Sequence, residues 1–143
     1  MNHTHDAVRQ QQLSQTLDQE RAQYAWTKVV KVTENFQDFK RVAEGAPALV
    51  MSNGLMQALA FYKHKHHDAL LQAVLKWVRM RVFPDVQVNR QADLFVAVME
   101  RLTQCDADEY FRATEEALAI LGWIREFAKA RDSQHEHPQP AER

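Results

Sequence analysis

Cysteine is almost absent: Cys105 alone among 143 residues, so no disulfide framework can hold the chain, and a reducing, cytoplasmic setting is expected. Three glycines leave no material for a phosphate-cradling loop or a βαβ dinucleotide fingerprint. No apolar run approaches the roughly 20 residues that span a bilayer, and Met1 to Gln10 carries no signal-peptide core. A membrane partner is therefore not expected. Strand signals are sparse throughout. What is present is ordinary for a globular domain: 45% hydrophobic and 26% charged residues. The length suits one domain, which at this size buries about two-thirds of its unfolded surface.

An overall net charge of −1 conceals an uneven distribution. Residues 1–44 are neutral, 45–90 carry a net +4 and 91–143 a net −5. Such asymmetry draws a polyanion to one part of a surface and repels it from another.

The periodicity predicts an all-α, single-domain bundle of five to six helices over residues 9–131, with tails at 1–8 and 132–143. The second tail reads DSQHEHPQPAER and offers no apolar anchor, so disorder is expected there. Ala22, Ala25, Val29, Val32, Phe36, Phe39 and Ala43 recur at alternating spacings of three and four, a stripe that packs lengthwise on neighbours. It admits a break near Asn35 without requiring one. Gly45 and Pro47 read as a helix stop and a new start. From Pro47 to about Lys65, Met51, Leu55, Ala58, Leu59 and Tyr62 share one side. Asp68 reads as a cap for the next helix, which Pro84 stops after Phe83. Its apolar residues, Trp77 among them, cover most of its circumference and put it at the centre. Leu94, Phe95, Val98, Met99 and Leu102 mark a further helix. Asp106 with Glu109 begins the last one in the manner of a capping box.

Constellations that carry chemistry are weak. His64, His66 and His67 cluster near Asp68, but tetrahedral zinc needs three or four converging ligands with support behind them, and a solvated helix terminus is the better reading. Asp106, Asp108 and Glu109 suit a helix first turn, and Glu115 and Glu116 a solvated face. Cys105 has no neighbouring histidine to activate it. Trp26, Trp77 and Trp123 lie in apolar-rich helical stretches and read as core rather than as base-stacking platforms. No catalytic residue, metal or cofactor is expected.

The basic residues say more in combination. Lys63 and Lys65 end one predicted helix, Lys76 and Arg79 share a stripe on the next, and Lys40 and Arg41 precede them. Antiparallel neighbours can gather such residues into a patch that meets phosphates without reading sequence. These six are the candidate nucleic-acid-binding residues. Arg81 sits half a turn from the Lys76 stripe and reads as a helix C-terminal charge.

Three stretches, RAQYAWTKVVKV (Arg21 to Val32), PALVMSNGLMQALAFYKHK (Pro47 to Lys65) and EYFRATEEALAILGWIREFAKA (Glu109 to Ala130), together resemble one family. They are similar to the small helical subunit of the type III-B CRISPR RAMP effector, the fifth subunit of the Cmr complex. The most specific pieces are Asn53-Gly54-Leu55 with Gln57, Leu59-Ala60-Phe61 with Lys65, and Tyr110, Thr114, Glu116-Ala117-Leu118, Leu121, Trp123 and Phe127-Ala128. The likeness spans about residues 18–131. It implies an all-α, non-catalytic, RNA-binding subunit in antiviral defence. Its partners would be the other effector subunits, further copies of itself stacked as a filament, and the guide RNA–target RNA duplex. Of the candidate RNA-binding residues, only Lys65 falls at a matched motif position. The type III-A small subunit is the nearest variant. A different reading of the same residues is a small helical adaptor that binds only protein, through an apolar groove and with no nucleic-acid contact.

Overall fold

The computed structural model describes residues 15–90 and 93–136. Six helices make up its regular structure: α1 (Leu17–Lys31), α2 (Phe36–Asn53), α3 (Leu55–His64), α4 (Asp68–Arg81), α5 (Leu94–Gln104) and α6 (Ala107–Glu136). Thr16 starts α1 with a capping box, its side chain accepting from the Gln19 amide while the Gln19 side chain accepts from its own. The stripe from Ala22 to Ala43 does face inward, but it is divided between two helices. Asn35 takes the left-handed conformation, φ 54°, which asparagine tolerates better than most residues. That turns the chain between α1 and α2.

The next boundary differs from expectation. Gly45 and Pro47 lie inside α2, although Pro47 has no amide to give the Ala43 carbonyl. The buried face of Phe39, Ala43, Ala46 and Val50 runs through both residues, and its packing outweighs the local stop signal. The break comes at Gly54 instead, with φ 88° and ψ 159°, a conformation nearly confined to glycine. Met51, expected on the inner side, is 75% exposed. Asp68 is the first residue of α4 rather than its cap, and His67 precedes it with no side-chain cap bond.

Two helices share the centre. α4 buries seven of its residues, from Leu70 to Val78, and packs on α2, α3, α5 and α6. The longer α6 packs against α1, α2 and α4. Its start is capped as expected, Asp106 Oδ1 accepting from the Glu109 amide at 2.8 Å. Its far end runs to Glu136, past the predicted boundary at 131. Asp132 there is 2% exposed and accepts from Gln37 Nε2 (2.6 Å) and Lys40 Nζ (2.8 Å). The expected tail at 1–8 and the rest of that at 132–143 lie outside the described residues.

Cross-links show how the helices run. Arg21 meets Glu116, Trp26 meets Phe127, and Arg131 Nη1 donates to the Val29 carbonyl at 2.6 Å, so α1 and α6 run in the same direction. α2 runs against α6, with Lys40 beside Asp132 at one end and Gly54 beside Tyr110 at the other.

Candidate nucleic-acid interface

Side chains bridge α1 and α4: Tyr24 donates through its hydroxyl to the Ala73 carbonyl at 2.6 Å. Its ring stands 4.9 Å from that of Trp77, and burial pushes the phenol's pKa well above the usual tyrosine value. One turn further along α1, Lys28 places its ammonium 5.1 Å from the Tyr24 ring centre, an attractive arrangement that holds the cation in place. Beside it opens a hollow of about 320 Å³, rimmed by Lys28, Lys76, Arg79 and Arg90, with Met80 and Leu94 among its apolar residues. Among the described residues no carboxylate lines it. Burial, then the charges of Lys76 and Lys31, lower the Lys28 pKa below the ordinary lysine value. Arg90 pairs with Asp93 at 3.4 Å, whereas Lys28, Lys76 and Arg79 have no ion pair among the described residues.

The six sequence-predicted residues are not all brought together. Lys76 and Arg79 rim this hollow, and Arg79 Nε also donates to the Val86 carbonyl at 2.8 Å, fastening the segment after α4. Lys63 and Lys65 are exposed at the end of α3, their ammonium groups 5.7 Å from the Phe95 ring and 6.0 Å from the Phe61 ring. Neither lysine lines the hollow. Lys40 is held by Asp132 and Glu44 (3.9 Å), and Arg41 pairs with Asp38 at 2.5 Å. Those two are engaged in holding α2, away from the α1–α4 groove.

Lys28 is the residue that the sequence reading missed. Its segment is neutral overall, and only the fold carries it across 48 positions to Lys76. Arg81, one helical turn or less from Arg79, pairs with Glu20 at 3.4 Å and lies over the Trp77 ring, so it belongs to the scaffold.

A second hollow of about 510 Å³ lies at the start of α4 and shares Lys28. Lys31, His66 and His67 line it, but so do Glu34, Asp38 and Asp68, and its charge is mixed. His66 is in the left-handed region (φ 60°). His67 Nδ1 is 3.7 Å from Asp38 Oδ2. Among the described residues no three His, Cys, Asp or Glu side chains group as metal ligands.

Other candidates take structural places. Glu116, expected on a solvated face, instead joins three helices. It accepts from Arg21 Nε (3.2 Å) and Nη2 (2.6 Å) and from Trp77 Nε1 (2.9 Å). Burial raises its pKa, but these bonds and the charges of Arg21 and Arg81 outweigh that and leave it lowered. Burial and the charges of Glu109 and Asp106 push the Cys105 thiol up, the opposite of an activated nucleophile. Trp77 is 3% exposed, as its pattern predicts. Trp26, expected in the core, is 45% exposed and meets the Phe127 ring edge-on at 5.3 Å.

The residues that carried the family resemblance meet in space. Arg21 of the first stretch binds Glu116 of the third. The Tyr110 hydroxyl accepts from the Met56 amide at 3.4 Å, beside the Gly54 turn of the second. The family model for CRISPR-associated protein (Cas_Cmr5) matches residues 17–131. A crystal structure of a CRISPR-associated Cmr5 family protein from Thermus thermophilus superposes with a TM-score of 0.64. The two are 28% identical, over 81% of this chain and 97% of that one. The shared helices, the meeting of the three stretches and the family match lead to one conclusion: this chain belongs to the Cmr5 family, the small subunit of the type III-B CRISPR Cmr complex.

Proposed function

We propose that the chain is a non-catalytic subunit that supports the guide–target RNA duplex in an RNA-targeting antiviral effector of the cytoplasm. Lys63, Lys65, Lys76 and Arg79, joined by Lys28, form the cationic face that meets the RNA. The observation that carries this reading is the hollow between α1 and α4, where Lys28, Lys76 and Arg79 stand without an ion pair among the described residues. Phosphate contacts of this kind bind every sequence alike, as a subunit serving interchangeable guides requires.

Further copies of the chain stack along the effector. Trp26, whose ring meets Phe127, and Val30 are both exposed on α1 and supply apolar surface for a neighbouring subunit. No helix among the described residues is long and apolar enough to cross a membrane.

Co-purification from its native cells, with identification of the bound proteins and nucleic acid, tests this reading. The expected catch is the other Cmr subunits together with guide RNA. Capture of protein partners without RNA would favour a protein-binding adaptor instead.

A further inference from the structure

The α1–α4 hollow is more than a charged patch. Its lining is cationic, but it also includes Met80, 49% exposed, and the buried Leu94. A bare phosphate patch has no use for an exposed methionine between two basic residues. At about 320 Å³ the space lies at the small end of ligand-sized hollows, which run from about 300 to 1,000 Å³. That admits a single nucleotide and no part of a stacked helix.

We infer that the hollow seats one nucleotide of an RNA strand, its base against Met80 and its flanking phosphates on Lys28, Lys76 and Arg79. This rests on the RNA-supporting role proposed above and gives that role a point of attachment. Tyr24 pre-positions Lys28 through its hydrogen bond to α4 and its ring face, and the Arg79 bond to Val86 holds the outer wall. The seat is largely formed before RNA arrives, so little ordering opposes binding.

The test uses the reconstituted effector with Lys28→Gln/Lys76→Gln, and separately Met80→Ser, in this subunit. Native gels report incorporation, and target-RNA affinity is measured at 50 and 200 mM salt. Losing two single-strand phosphate contacts flattens the salt slope by about 1.4. The affinity deficit of the double variant is then about sevenfold larger at 50 mM than at 200 mM. Met80→Ser is expected to weaken binding with the slope unchanged, and a 4-thiouridine-substituted target should crosslink to the segment containing Met80. Normal affinity and slope in the incorporated double variant would overturn the seat. If Lys63→Gln/Lys65→Gln then weakens binding, the RNA-supporting role stands and only the seat is lost. If neither pair matters, that role falls too. Failure of the double variant to incorporate would assign the hollow to an acidic neighbouring protein and equally overturn the inference.

Discussion

Glu116 shows how much one side chain does here. It joins α1, α4 and α6 through Arg21 and Trp77, so Glu116→Ala leaves a half-buried guanidinium and an indole N–H without their acceptor. A loss of about 2–3 kcal/mol is expected in urea unfolding. Because its folded pKa is lowered, its contribution is fully present above the ordinary glutamate value and disappears as pH falls through the lowered one. The urea midpoint should therefore fall on acidification from about pH 7 toward 3, and fall less in Glu116→Gln. Trp77 lends a larger apolar mass at the same junction, and Trp77→Ala should destabilise by about 3–5 kcal/mol. The burial of Trp77 was legible from its place in an apolar-rich stretch. That of Glu116 was not, because its partners come from residues 95 and 39 positions away, and charge beside charge in Glu115-Glu116 reads locally as solvent-facing.

At the scale of elements, apolar spacing was a dependable guide and punctuation was not. Ala43, Ala46 and Val50 continue across Gly45 and Pro47 because burial of a helix face outweighs a single missing amide. Gly54 gave no boundary signal of its own, yet it alone supplies the backbone angle that separates α2 from α3. Gly54→Ala is expected to lose about 1–3 kcal/mol from backbone strain. The nearest non-local atom to its new methyl carbon would be Tyr110 Oη at 3.8 Å, so crowding is not the cause. Denaturant midpoints of Gly54→Ala and Gly45→Ala separate the two, since Gly45 has open space around it and a helical backbone, where alanine should be neutral or stabilising. The end of α6 misleads in a different way. A polar, proline-containing run hides Asp132, which Lys40 and Gln37 bury against α2. Asp132→Ala should lower stability by about 2 kcal/mol.

Across the whole molecule, the fold sorts its cations into two sets. Arg21, Lys40, Arg81 and Arg101 hold helices and loops together through carboxylates, and Arg41 pairs with Asp38 within α2. Lys28, Lys31, Lys63, Lys65, Lys76 and Arg79 have no ion pair among the described residues. The +4 of residues 45–90 pointed to half of this arrangement. The other half, from α1, needed the packing of Tyr24 on Ala73 to bring it into place. The family was legible because its motif residues are the ones that join the helices: Gly54 to Tyr110 and Arg21 to Glu116. The claim that most needs testing is that the unpaired set meets RNA. Lys63, Lys65, Lys76 and Arg79, all reversed to Glu, should still be incorporated into the reconstituted effector with an intact helical signal, and target-RNA affinity should fall for every sequence alike. Four single-strand phosphate contacts correspond to a salt slope of about −2.8, so the affinity gap to the unaltered complex should narrow about fifty-fold between 50 and 200 mM salt. Unchanged affinity and slope in the incorporated variant would contradict it.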